Sequence, residues 1–125
     1  MELLSAFPDI EDYALALLAP VGTTVLATPA TITPPLVVIR RIGGSDDLIT
    51  DTPRIQVDCF GGTRRQTADM AERCRQLILA APATGIGTAR IDQAQTVSAP
   101  TFLAYDDQHT QRTTATYHLS LRRPR

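Results

Sequence analysis

The side chains best suited to catalysis or metal binding are few and widely separated in this sequence. Its two histidines, His109 and His118, lie nine positions apart, and neither belongs to a recognisable catalytic motif. Two ligands at that spacing do not specify a metal site, which usually takes three or four protein ligands. No serine lies in the strand-turn-helix context of a nucleophile elbow. We therefore predict a protein that is not an enzyme and that has no catalytic residue, metal or cofactor.

The two cysteines and the glycine pairs also lack the spacing of known binding motifs. Cys59 and Cys74 match no zinc pattern, and we predict that both are small buried residues without a disulfide. The glycine pairs at 43–44 and 61–62 belong neither to a Walker sequence nor to a dinucleotide fingerprint. They are typical of strand ends, where a positive φ or a close approach favours glycine.

The overall charge gives no reason to expect binding to nucleic acid or to an anionic membrane. Twelve basic and thirteen acidic residues leave a formal net charge of -1, and every basic residue is arginine. No apolar run approaches the roughly 20 residues that span a bilayer, so we predict no membrane contact. The first eight residues lack the basic and apolar regions of a signal peptide, which predicts synthesis in the cytoplasm.

Charged residues are concentrated in the middle of the chain. An arginine fork can bind a carboxylate through two parallel hydrogen bonds, which makes arginine well suited to ion pairs at interfaces. Four roles remain open for these charges, with ion pairing favoured: ion pairs within one subunit, ion pairs between subunits, contacts with nucleic-acid phosphates, and a solvated surface without a function. The candidate intersubunit residues are Arg40, Arg41, Asp46, Asp47, Asp51 and Arg54.

Two helices are predicted from apolar periodicity and capping residues. A first helix at 9–18 begins with Asp9, has two acids in its first turn, and presents one apolar face. The main helix at 63–81 is expected to end at Pro82, and its apolar stripe comprises Ala68, Ala71, Cys74, Ile78 and Ala81. We predict that this stripe packs on Ile55, Val57 and Cys59 of a neighbouring strand.

Strand patterns fill most of the remaining chain. The predicted strands are 23–27, 36–42, 54–60, 89–98, 100–105 and 113–121, with a proline-rich loop at 28–35, a polar loop at 46–53, and turns at 84–87 and 106–109. Consecutive strands with one long helix between them are typical of an α+β fold. We predict one domain over residues 1–125, with 1–8 and 122–125 frayed, and a mostly antiparallel sheet with two helices packed on one face.

Three consecutive segments resemble the tail-terminator and minor tail proteins of long-tailed actinobacterial phages. They are VVIRRIGG at 37–44, DTPRIQVD at 51–58, and TRRQTA at 63–68, which opens the main helix after a glycine pair. The resemblance extends over residues 8–122, with Asp106 and Arg112 at the position of the family's closing hairpin. The proline-rich segment 28–35 departs from the family pattern.

The resemblance implies a structural virion protein of the tail or neck. Such a protein would assemble as a hexameric ring on the last tail-tube ring, stop tube growth, and offer a joining surface to the head-side connector. Its partners would be copies of itself, the tail-tube protein and the connector, and DNA would at most pass through the ring. The alternatives are a head-closure, neck or tail-completion protein, and less favoured, a small enzyme or a nucleic-acid-binding protein. Reversing Asp46, Asp47 and Asp51 together to arginine is expected to leave a folded monomer that cannot cap tubes.

Overall fold

The computed structural model describes residues 6–84, 90–104 and 110–122. The predicted turn at 106–109, which includes His109, and most of the predicted turn at 84–87 lie outside the described residues. The elements in chain order are α1 (Ile10–Leu18), β1 (Thr23–Val25), β2 (Leu36–Asp46), β3 (Thr50–Gly61), α2 (Arg64–Thr84), β4 (Ile91–Leu103) and β5 (Gln111–Arg122).

The strands form one sheet in the order β1-β2-β3-β5-β4. β1 runs parallel to β2, and the other three neighbouring pairs are antiparallel. Both helices pack against the same face of this sheet, where one large apolar cluster joins them to β2, β3 and β5. The predicted α+β fold with a mostly antiparallel sheet and helices on one face is confirmed.

Local sequence explains why the helices begin and pack as they do. The Asp9 carboxylate caps α1 by accepting hydrogen bonds from the backbone N–H groups of Glu11 and Asp12, at 2.9 and 3.3 Å. In α2, Thr67 donates a 2.6 Å hydrogen bond to the Cys59 carbonyl and so ties the helix start to the end of β3. The predicted stripe is wrong at Ala68, which is exposed, because the buried face follows positions 67, 70, 71, 74, 78 and 81.

The β2–β3 hairpin is longer than predicted. Gly43 and Gly44 lie within β2, at φ of +102° and +111°, where the register with β3 shifts. A Cβ on Gly44 would collide with the backbone of Thr52 and Pro53, so the close approach needs glycine. Pro53, which has no N–H to donate, fits opposite this bulge. The predicted loop 46–53 was therefore wrong, because the glycines bend the strand without ending it and only residues 47–49 form the turn.

Two prolines were also expected to interrupt elements that in fact continue. α2 extends through Pro82 to Thr84, and β4 runs through Pro100 as one strand in place of the two predicted. Pro82 lies in the last turn of α2. The backbone hydrogen bond that it cannot donate is therefore lost only at the end of the helix. Pro100 lies on an edge strand at an irregularity between Ser98 and Thr101, so the ladder needs no donor there. β1 ends at Val25, two residues earlier than expected.

Candidate intersubunit surface

The tip of the β2–β3 hairpin projects from the body of the protein. Residues 40–49 are all exposed, and Leu48 and Ile49 at the turn are 76% and 66% exposed. The Asp47 carboxylate accepts hydrogen bonds from the backbone N–H groups of Ile49 and Thr50, at 2.7 and 2.6 Å. These bonds lower the pKa of Asp47 and fix the turn. The tip, defined as Asp46, Asp47, Leu48 and Ile49, is thus an ordered turn that carries two acids and two aliphatic side chains.

An ion pair on the helix-covered side holds the base of this tip. Arg41 donates from Nη1 and Nη2 to the two carboxylate oxygens of Asp51, at 2.8 Å each, and from Nε to the Gly43 carbonyl at 3.0 Å. The Asp51 side chain is only 3% exposed and that of Arg41 is 36% exposed. The pKa of Arg41 is raised, and the side-chain hydrogen bond with Asp51 is the largest cause of this change. Arg41 therefore braces the glycine bulge across the hairpin.

The same bulge is linked to the first helix. The Glu11 carboxylate accepts a hydrogen bond from the backbone N–H of Arg41 at 3.1 Å. This N–H lies where β2 changes register against β3, a place at which ladder hydrogen bonds are disrupted. Glu11 thus connects α1 to the base of the hairpin.

Arg40 and Arg54 lie on the opposite, helix-free face of the sheet. Arg40 approaches the Asp58 carboxylate at 3.9 Å, and Asp58 also accepts hydrogen bonds from Gln56 and Thr114. The Asp58 residue is 6% exposed, so these donors stabilise a carboxylate that has lost most of its water.

Arg54 contacts β5 across the same face. Its Nε donates a 3.1 Å hydrogen bond to Nε2 of His118, its cross-strand partner. His118 is half-buried on the polar phase of β5, as the strand alternation indicated. The arrangement positions Arg54 at the surface and assigns His118 the role of a hydrogen-bond acceptor.

The structure divides the six candidate intersubunit residues among three places. Asp46 and Asp47 are at the exposed tip, Arg41 and Asp51 pair within the subunit, and Arg40 and Arg54 lie on the helix-free face. Pairing within the subunit was one of the alternatives that the sequence left open. The sequence analysis missed Leu48 and Ile49. Two large aliphatic residues within a predicted polar loop could have indicated a contact surface.

A groove lies at the other end of the β2–β3 ladder, between α2 and the chain leading into β2. Its volume is about 480 Å³. Val21 and Met70 give it an apolar floor, being 7% and 6% exposed. Its remaining lining includes exposed charged and polar side chains of α2. The lining includes Val21, Pro35, Arg65, Asp69, Met70 and Arg73.

The cysteines belong to the core beneath these surfaces. Both are buried free thiols, as predicted, and their Sγ atoms are 3.8 Å apart between β3 and α2. The hydrogen bond with Cys74 and burial raise the pKa of the Cys59 thiol, so it remains protonated at neutral pH. Inert neutral thiols are suited to packing.

No helix within the described residues has the length and apolar character needed to cross a membrane.

Comparison with known proteins gives a structural likeness. No protein-family model and no curated protein matches the chain. Among solved structures, the chain is similar to one in the virion of native gene transfer agent (GTA) particle. The TM-score is 0.60 at 9% sequence identity, and the alignment covers 87% of this chain and 84% of that one. At this identity the likeness establishes the α+β fold, which extends over nearly the whole of both chains.

Proposed function

We propose that this protein is a structural component of a phage-like virion that caps the tail tube as a ring. In this role it ends tail growth and forms the surface that joins the tail to the head-side connector. The observation that carries the proposal is the likeness in fold to a chain of a gene transfer agent virion, over 87% of this chain. Because one fold can serve many functions, the surfaces of this chain supply the rest of the argument.

Those surfaces suit a protein that functions by assembly. The hairpin carries two acids and two large aliphatic side chains into solvent on an ordered turn. A contact that removed these exposed aliphatic side chains from water would be favourable. The groove, at the other end of the ladder, offers a different surface. Two unlike contact surfaces are what a closed ring requires, since every subunit meets its two neighbours through opposite sides.

The proposed partners are further copies of this chain, in a hexameric ring, together with the tail-tube protein and the head-side connector. We place Asp46 and Asp47 at the intersubunit contact, with Arg40 and Arg54 available on the helix-free face. Arg41 and Asp51 support the contact indirectly by bracing the hairpin. The net charge of -1 suits a ring through which DNA passes without being held.

A tube-capping assay tests the proposal. Purified protein is added to tail-tube protein during polymerisation, and tube lengths and ends are measured by electron microscopy. We expect shorter tubes with a ring of extra density at one end. Tubes of unchanged length without bound protein would contradict tail capping. Binding to the head-side connector in place of the tube would identify a head-closure, neck or tail-completion protein.

Substitution of His118 separates architecture from chemistry. We expect His118→Ala to cap tubes at nearly the normal length, because the side chain accepts one hydrogen bond from an exposed arginine. His118→Gln, which keeps an acceptor, is the matched control. A complete loss of capping in His118→Ala, with an unchanged circular dichroism spectrum, would point instead to catalysis or metal binding. His109→Ala is also expected to cap tubes at nearly the normal length.

A further inference from the structure

We infer that the hairpin tip of one subunit seats in the groove of a second copy of this chain, head to tail. The tip comprises Asp46, Asp47, Leu48 and Ile49, and the groove is that between α2 and the start of β2. This inference rests on the proposed ring and identifies the two surfaces that would close it.

The positions of the two surfaces exclude contact within one chain. β2 and β3 pair from Leu36 with Phe60 at the groove end to Asp46 with Asp51 at the tip end. Ten residue steps of about 3.3 Å place these ends roughly 33 Å apart. A rigid ladder of that length cannot fold its tip back into its own groove. The two surfaces can therefore meet only between copies. In the proposed ring this contact is heterologous and closes if the rotation between neighbours is right.

The apolar parts of the two surfaces are complementary. Leu48 and Ile49 are mostly exposed at the tip, while Val21 and Met70 form an apolar floor in the groove. Seating the tip would remove apolar surface from water on both sides, which is the main favourable term in most protein association. The hydrogen bonds of Asp47 hold the turn in shape beforehand, so little ordering accompanies binding.

The charges are complementary as well. The tip carries two carboxylates, Asp46 and Asp47. The groove is lined by Arg65 and Arg73, with Asp69 between them on α2, and so has a net charge of +1. Opposite charges across a contact fix its register and penalise tip-to-tip or groove-to-groove pairing, in which like charges meet. A tip-to-groove contact between two copies of the chain is thus favoured over tip-to-tip or groove-to-groove pairing.

Charge reversal on the two surfaces tests the inference. The tip variant is Asp46→Arg with Asp47→Asn, in which asparagine keeps a side-chain oxygen for the turn. The groove variant is Arg65→Glu with Arg73→Glu, both at exposed helix positions where glutamate is well tolerated. In either variant alone, like charges would meet at every contact. We expect each to self-associate at least about 100-fold more weakly than the wild type, measured by light scattering.

Mixing the two variants gives the decisive result. In an equimolar mixture each tip can meet a groove of opposite charge, so rings should form again with the two variants alternating. Native mass spectrometry should then show a ring with the wild-type number of subunits, half of them from each variant. Rings formed by either variant alone, or a mixture that stays monomeric, would overturn the inference. So would a wild-type protein that forms no ring, either alone or on tubes.

A further variant tests the same contact without changing any charge, in case the charge variants misfold. Leu48→Ser with Ile49→Ser changes two side chains that are 76% and 66% exposed, so the fold should be preserved. We expect weakened ring formation from this variant and wild-type behaviour from the control Val97→Ser, a 43% exposed residue on the edge strand β4. Equal ring formation by the serine pair and the wild type would contradict seating of the tip. Rings that require tip and groove but do not cap tubes would refute the proposed function and leave this inference standing.

Discussion

Arg41→Ala should destabilise the protein by about 1–3 kcal/mol, the range for leaving a buried hydrogen-bonding group without its partner. The substitution leaves the Asp51 carboxylate, 3% exposed, without the guanidinium that donates to both of its oxygens. It also removes the hydrogen bond that braces the Gly43 carbonyl in the bulge. The free energy of unfolding, measured in urea at neutral pH, provides the test.

Substitution of Asp51, the other member of the ion pair, provides the control. Asp51→Asn should cost less than Arg41→Ala, because the Arg41 side chain is already 36% exposed and can turn towards water. Removing the better-solvated partner is therefore expected to be the more damaging change. A loss below about 1 kcal/mol in Arg41→Ala would show that Asp51 is rehydrated in the folded state and that the pair contributes little.

The Arg41–Asp51 ion pair also changes what is expected of the triple variant at the hairpin. Reversing Asp46, Asp47 and Asp51 together was expected to leave a folded monomer. Arginine in place of Asp51 would instead lie against Arg41 in a nearly buried position, so the fold itself would be damaged. Loss of assembly in that triple variant could not be attributed to the contact surface. The test is sharper when Asp51 is kept and only the exposed tip is changed.

Local pattern was sufficient to predict the elements that make up the core. The alternation of Ile55, Val57 and Cys59 and the capping of α1 by Asp9 depend on neighbours in sequence, so both could be read directly. The predicted ends of strands were wrong where a residue that usually interrupts a strand is accommodated by its place in the sheet. Gly44 bends β2 without ending it, and Pro100 is accommodated because β4 is an edge strand.

The candidate surface was only partly predictable for a related reason. Sequence singled out the acids and arginines, but which arginine meets which acid depends on strand register and on the face that each residue takes. Arg41 reaches Asp51 on the helix-covered side, whereas Arg40, one residue earlier, reaches Asp58 on the other face. The groove combines residues from α2 with Val21 and Pro35, which lie thirty or more positions earlier, so periodicity within one element could not predict it.

The predicted packing of the main helix on β3 leads to a second large effect. Ile78→Ala should reduce the free energy of unfolding by about 2–5 kcal/mol, since it removes buried methyl groups and leaves a cavity. Ile78 is 0% exposed and lies in the cluster that joins α2 to Ile55, Val57 and Tyr117.

The adjacent residue supplies a matched control for this prediction. Leu79 lies on the same turn of α2 but is 42% exposed, so Leu79→Ala removes a similar number of carbon atoms with much less burial. Alanine has the higher helix propensity in both cases, and that contribution largely cancels when the two variants are compared. We expect Leu79→Ala to cost less than about 1 kcal/mol, as for a partly exposed side chain. Equal losses in the two variants, measured in the same denaturant series, would mean that the face of α2 turned towards β3 is not the one that contains Ile78.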